Sequence, residues 1–460
     1  MAVKRWKGTA VAIAQKTTLT FTGAFASTNT VTVSCNGNNL VVTLGTTSAA
    51  SVTAVASAVS AAINASSATA SLSADETRNL GGQQIPEFTE FTATSSAGVV
   101  TLTGNTRGKP FTVTASETAS GSVAVATSVA ATGPNHANNA ANWSGGTLPV
   151  SNDVLLFDSG GVSVLYGLQV FTDGTVSNAV EITTDYTGSI GLPVYDVTTG
   201  YAEYRDRYLY LDNSGVNSNY IRFTRGTQNL TNHGDIRLYC GDAGDAWTDI
   251  SSYAVRGDTS GKPNIYVRGG EFDDINIIAG RIEFDPSDSL SLSNAVVAND
   301  SVLVGASANT EEAWVVFNDP TDLDAAEEIR VLSGTVYFRG DVDYGGVGTP
   351  SFDVHGGSVF LEPPDGLMDL RNMVIRGGTL YPHHASGSGD KITVYGGGTV
   401  DFRRSHLSRG YDKVVLYSGA ACYDPDGLGT DEINLVGCDL SQVTLAIQPN
   451  RKLTLAAAAT

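Results

Sequence analysis

The second half of the chain repeats one pattern: a short run of alternating apolar and polar residues, a glycine or glycine pair, then a second such run. It reads Ile265-Tyr-Val-Arg-Gly-Gly-Glu-Phe272, Ile329-Arg-Val-Leu-Ser-Gly-Thr-Val-Tyr-Phe338, Phe352-Asp-Val-His-Gly-Gly-Ser-Val-Phe-Leu361, Met373-Val-Ile-Arg-Gly-Gly-Thr-Leu380 and Ile392-Thr-Val-Tyr-Gly-Gly-Gly-Thr-Val-Asp-Phe402, and continues to Val414–Ala420 and Ile433–Leu440. The glycine returns at Gly334, Gly356, Gly377, Gly397, Gly419 and Gly437, a spacing of roughly 20 residues that marks stacked repeats. Each repeat holds period-2 runs rich in β-branched residues and no helical spacing, so the repeats predict strands. Two or three short strands per coil, bent at glycines, form a parallel β-helix whose inward Val, Ile, Leu and Phe stack in columns about 4.8 Å apart. Gly356, Gly377 and Gly397 are expected at bends that exclude a branched side chain. The matches at 275–284 and 302–305 are less regular, because loops such as Glu311–Glu328 intervene.

The first third is patterned differently. Val31–Cys35 and Leu40–Leu44 flank Asn36-Gly37, which predicts a hairpin. Val52, Val55, Ala56, Val59 and Ile63 then fall on one helical face, with Ser48 or Ser51 able to cap the helix start. Strands are expected at Phe88–Ala93, Val99–Thr103, Phe111–Ala115 and Val123–Ala131, forming one small sheet covered by the helix. The chain is thus predicted to be all-β dominated: an N-terminal β-rich docking domain with one helix (1–132), a linker and solenoid cap (133–157), and a parallel β-helix (158–460). Trp143 is the expected cap, plugging the open apolar end of the first rung; the alternative role is sugar stacking. The two parts are expected to fold independently across a Gly133-Pro134 hinge.

Composition narrows the function. A formal charge of −20 repels phosphates and excludes nucleic acid as the partner. The exception is the N-terminal tip, where Lys4, Arg5 and Lys7 surround Trp6; these four are the candidate partner-docking residues. Cys35, Cys240, Cys422 and Cys438 show neither metal-ligand spacing nor disulfide density, and free buried thiols are expected. No stretch is long and apolar enough for a membrane span, and no secretory signal is read after Lys7.

No catalytic set emerges. His136, His233, His355, His383, His384 and His406 follow no metal-ligand spacing. The Gly-Gly pairs precede no helix and so form no phosphate loop. Asp424-Pro-Asp426-Gly427 with Asp431 and Glu432 has the oxygen density for calcium but not the order of a twelve-residue calcium loop. Asp319–Glu328 is a second acidic segment, read as a solvated turn or a partner contact. Asp273, Asp274, Glu283 and Asp285 are the carboxylates a glycan-cleaving groove would use. No cofactor is expected, with calcium left open.

The start Met-Ala-Val-Lys-Arg-Trp-Lys-Gly, the Val/Thr-rich module with Gly108-Lys-Pro-Phe-Thr-Val-Thr114, and Asn142-Trp-Ser-Gly-Gly followed by Pro149 resemble uncharacterised proteins encoded by phages and prophages, over Met1 to about Pro193. The resemblance implies a virion structural protein with a parallel β-helix body and brings no catalytic residues. The expectation is a non-enzymatic capsid decoration or cement protein, or a short fibre, located in the virion. Its expected partners are major capsid or tail proteins and itself, as a homotrimer. The repeats run to Leu445 and leave little room for a receptor head. The alternatives are a glycan-binding or glycan-cleaving tailspike, with host surface glycan as partner, and a secreted adhesin or surface-layer protein.

Overall fold

After β1 (Val3–Arg5), the alternation Lys16-Thr-Thr-Leu-Thr-Phe-Thr22 puts Leu19 and Phe21 on one face and forms β2 (Lys16–Thr22). The hairpin follows as β3 (Thr30–Cys35) and β4 (Asn38–Thr43), with Asn36 and Gly37 both at positive φ (53° and 72°), as its tight turn requires. Next comes α1 (Val52–Ser67), whose Ala54 N–H donates to the capping Ser51 hydroxyl at 3.1 Å. Val55, Ala56, Val59 and Ile63 are buried, as the spacing predicts. Then follow β5 (Thr77–Asn79), β6 (Phe91–Ser96), β7 (Val99–Gly104), β8 (Thr114–Glu117) and β9 (Ser122–Val129).

These strands make two four-stranded antiparallel sheets, in the orders β6-β7-β2-β9 and β5-β4-β3-β8, rather than one. The Lys16–Thr22 alternation supplies an inner strand of the first of these sheets, between β7 and β9. Phe88 sits in a 3-10 turn (Pro86–Glu90), and Phe111 is a buried core residue ahead of β8. The structure, a computed structural model, describes residues 2–67, 77–79, 85–118, 120–171, 179–196, 200–211, 219–227, 233–241, 246–253, 264–269, 271–285, 301–304, 313–317, 321–323, 328–332, 334–339, 342–344, 352–362, 372–382, 391–403, 411–426, 430–438, 443–445 and 452–456.

From β10 (Val154–Phe157) onward the regular elements of the described residues are strands, and most of them join one of two parallel ladders. One ladder begins with β1 and β10 and runs through Ala179–Thr183, Tyr220–Thr224 and Ala246–Tyr253 to Lys452–Ala456. The other runs from Leu209–Tyr210 through Ile236–Tyr239 and Ile265–Arg268 to Val443–Leu445. The glycine pattern maps onto them directly: Phe352–Val354 joins the first ladder, and Ser358–Leu361, just past the glycine pair, joins the second. Register stacks like on like. Val331, Val354, Ile375, Val394, Leu416 and Leu435 form one buried column. Val336, Val359, Leu380, Val400 and Cys422 form another, which is why Cys422 is a buried free thiol. Both ladders share one hydrophobic core, separate from the core of the N-terminal module.

The bends differ from expectation by one residue in two cases. Gly357 and Gly378, rather than Gly356 and Gly377, take positive φ (78° and 71°), while Gly397 does so as expected (95°). Gly377 is still required. A Cβ there would run into the carbonyl oxygen of His355 on the preceding turn, and one on Gly378 would meet that of Gly357. The first glycine of the pair therefore permits close backbone approach, and the second permits the left-handed bend.

All four cysteines are free. Among the described residues no helix is long and apolar enough to cross a membrane.

Candidate functional site

The chemistry-bearing side chains of the described residues concentrate where the N-terminal module meets the start of the ladders. The tip Lys4-Arg5-Trp6-Lys7 lies there, and its placement removes Trp6 from the docking role expected of the four. β1 pairs in parallel with β10, Val3 opposite Val154 and Arg5 opposite Leu156. Trp6 is only 3% exposed, and its indole N–H donates to the Val162 carbonyl at 2.8 Å. A buried aromatic cannot anchor an outside partner. The charges stay outside and are engaged locally: Lys4 donates to the Thr147 hydroxyl (2.6 Å) and Arg5 pairs with Asp158 (2.8 Å). Lys7, also exposed, donates its backbone N–H to the Asn142 carbonyl (2.7 Å). Residues 2–6 thus belong to the ladders, although the sequence boundary placed them in the module.

Trp143 is 1% exposed, with its ring 5.2 Å from Trp6, 5.9 Å from Phe157 and 6.3 Å from Phe171, and its N–H bonded to the Ala137 carbonyl at 2.8 Å. It lies at the head of the shared core.

The Gly133-Pro134 segment is pinned, which corrects the expected hinge. Asn142 accepts from Ala10 N–H (2.7 Å) and donates to the carbonyls of Gly133 (2.8 Å) and His136 (2.9 Å); Asn139 donates to the Thr132 hydroxyl (2.7 Å). His136 is buried, and its Nε2–H donates to the Gly108 carbonyl of the module at 2.7 Å. Burial pushes its pKa down against the hydrogen bonds to Gly108 and Asn138, so the imidazole is held neutral. Because the folded value is depressed, the contribution of His136 is complete above the unfolded value of about 6.5 and is lost as pH falls through the folded value. Thermal unfolding should therefore show stability declining below about pH 6.5, and His136→Gln should flatten that part of the profile. An unchanged slope in the variant would assign the decline to other groups.

A second tie lies beside it. Glu90 of the module is 3% exposed, and its carboxylate meets Lys109 (2.8 Å), the Tyr204 hydroxyl (2.7 Å), the Tyr201 hydroxyl and the Arg205 guanidinium. Arg205, 9% exposed, also donates to both oxygens of Glu203 (2.8 and 2.9 Å) and to the Pro110 carbonyl (2.8 Å). Burial alone would raise the Glu90 pKa, but Arg205, Lys109 and Tyr201 outweigh it and hold the carboxyl below the usual range. The neighbouring Cys35 thiol, a donor to Tyr204 at 3.8 Å, is pushed up to about 12, chiefly by burial. An inert thiol and a carboxylate fixed as an anion describe a clasp, not a nucleophile or general base. A cleft of 280 Å3 adjoins it, lined by Pro110, Thr112, Leu165, Tyr166, Tyr204, Arg205 and Asp206. Its charged lining is engaged, Arg205 in this network and Asp206 separately, accepting from Gln169 at 2.8 Å. Nothing in the sequence marked Tyr201–Arg205; Glu90 and Arg205 are 115 residues apart.

The other candidates are scattered. On the long strand Glu271–Asp285, Asp274 stands in the first ladder opposite Asp249, while Glu283 stands in the second between Tyr266 and Val316, so register separates them. Asp273 and Asp285 lie on the same strand. Asp424 is buried at the end of Ala421–Asp424, and Gly427 lies outside the described residues. Asp431 and Glu432 lie on the strand Thr430–Val436, where Glu432 pairs with Lys413 at 3.2 Å. His233 Nε2 donates to the Thr184 carbonyl (2.8 Å), and His355 contacts Asp353 (3.0 Å). His383, His384 and His406 lie outside the described residues, as does half of Glu311–Glu328. The other half corrects the expected loop: it carries the strands Ala313–Phe317 and Thr321–Leu323, paired in parallel with Gly280–Phe284 and Val342–Tyr344, because its alternating apolar positions join the stack. Among the described residues no group of three or more His, Cys, Asp or Glu side chains is placed to hold a metal ion.

No protein-family model, curated protein or solved structure matches the chain.

Proposed function

We propose that this chain is a non-enzymatic structural component of a phage virion, a capsid decoration or cement protein or a short fibre, with a parallel β-helix as its body. The observation that carries this reading is the single core shared by two in-register parallel ladders from Trp6 to Leu435, clasped to a separate module at one end. Such a body suits a rigid projection, and a pinned junction suits transmission of force between head and rod.

The outer face of the second ladder argues against a glycan platform. Tyr337, Phe360 and Tyr381 stack face to face at 4.6 and 4.5 Å, within 9° and 5° of parallel, and Arg339 lies 5.3 Å from the Tyr337 ring centre. These rings cover one another's faces, which sugar stacking needs free. Docking on major capsid or tail proteins would use the module and the charged side chains of Lys4, Arg5 and Lys7, without the buried Trp6.

Immunogold labelling of density-banded particles with antibody to this chain is the test. Decoration of intact particles is expected. The chain found only in the particle-free fraction, or purified chain that depolymerises host polysaccharide, overturns the reading.

A further inference from the structure

We propose that β9 is a self-docking edge, pairing with β9 of a second copy across a two-fold axis to join two four-stranded sheets into one continuous sheet. The proposal does not depend on what the ladders attach to.

Three exposed strand edges of this molecule can be compared. The outer edge of β1 is blocked: the Ser144 hydroxyl accepts from Arg5 N–H at 2.9 Å and donates to the Val3 carbonyl at 3.3 Å. So is the outer edge of β6, where the Asn64 amide accepts from Ala93 N–H and donates to the Ala93 carbonyl, both at 2.9 Å. Side chains that satisfy an edge strand's outward groups prevent strand addition.

β9 has no such device. Phe21 N–H donates to Gly98, and Gln15 accepts from Gly104 N–H, so odd-numbered residues of this segment face β7 and even-numbered ones face β9. Thr18 and Thr20 lie opposite Ala126 and Ala124. Ala124 and Ala126 therefore spend their backbone groups on β2, while Val123, Val125 and Thr127 turn theirs outward; β8 lies close beside β9 but forms no ladder with it. The strand Ser-Val-Ala-Val-Ala-Thr-Ser-Val is eight residues long, with no charge and no proline. Val125, opposite the buried Leu19, is 36% exposed because α1 packs over β2, β6 and β7 and stops short of β9.

A second copy fits this edge for three reasons. Pairing about a two-fold at Val125 sets Val125 against its equivalent and Val123 against Thr127, with no like charges opposed. It also continues the Leu19–Val125 apolar row from one helix-covered sheet into the next. Residues 1–152 carry seven Lys or Arg against five Asp or Glu, so the entire −20 and more lies beyond them; charge opposes contact between copies least at the module. Because Asn64 blocks β6, head-to-tail addition of β9 onto β6 is closed, and the contact ends at two copies instead of growing. This makes the sheet-mediated assembly a dimer rather than the expected homotrimer.

The test is light scattering with size exclusion on the full chain over a wide concentration range, comparing wild type with Val125→Pro and Val125→Lys. Proline removes one outward N–H and leaves the β2 ladder intact, while lysine is the charge that natural edges use. Wild type at twice the chain mass, and loss of that dimer in both variants with unchanged circular dichroism, is the expected result. A monomeric or trimeric wild type overturns the proposal, as does a dimer that survives in either folded variant.

Discussion

Alanine at Arg205 is expected to cost the junction about 3–5 kcal/mol, the range for removing one member of a buried ion pair. The guanidinium joins Glu90 and Glu203 and caps the Pro110 carbonyl, so its loss strands two carboxylates and one carbonyl in a site that is almost entirely buried. Lys109 stays beside Glu90 and places the effect toward the lower end of that range. The deficit should depend on pH in a defined direction. Glu90's depressed folded pKa contributes stability that is present above its unfolded value and lost as pH falls through the folded one. Without Arg205, burial dominates and the Glu90 pKa rises. The gap between wild type and variant should therefore be largest near pH 7 and narrow as pH falls from the variant's raised Glu90 pKa toward the depressed one of wild type. Arg205→Lys should recover only part of it, because an ammonium cannot serve Glu90, Glu203 and Pro110 together. Denaturant titrations at several pH values read this directly; a gap that stays constant with pH would mean that Glu90 is not the group Arg205 holds charged.

What was legible in the sequence was whatever repeats locally. The glycine pattern gave both ladder strands of each turn, because alternation and bend recur every time, and Asn36-Gly37 gave the hairpin because two adjacent residues set the turn. Ser51 and the Val55–Ile63 face gave α1 for the same reason. The clasp was not legible. Glu90, Tyr201 and Arg205 meet only when two segments far apart in sequence come together, and no spacing within either segment encodes the other. Trp6 was misread for a related reason: a tryptophan among Lys4, Arg5 and Lys7 looks like a surface anchor until β1 is known to pair with β10, which turns Trp6 inward and leaves the charges outside. On that placement Lys4 and Arg5 are edge-strand charges that discourage strand addition at the head of the ladder.

Trp143→Ala is expected to destabilise the head of the ladders by about 3–5 kcal/mol, the cost of deleting a fully buried large aromatic. Its ring fills the space between Trp6, Phe157 and Phe171, and its N–H satisfies the Ala137 carbonyl. Alanine would leave a cavity between three aromatic rings and an orphaned buried carbonyl. Trp143→Phe should be milder, since it keeps most of the packing and loses the hydrogen bond. The consequence should reach beyond local stability. Trp6 and Trp143 face each other through an antiparallel bridge, and Ser144 next in sequence blocks β1, so loosening Trp143 frees the first strand of the ladder as well. An unpaired β1 and an open apolar end would invite end-to-end association, which light scattering would register as particles larger than wild type, alongside faster proteolysis in 133–146. Trp6→Ala should reproduce the phenotype, and the double variant should lose less than the sum, because both indoles close one opening. A Trp143→Ala protein within about 1 kcal/mol of wild type, with no change in size or protease pattern, would mean that the end of the stack is closed by something other than this pair.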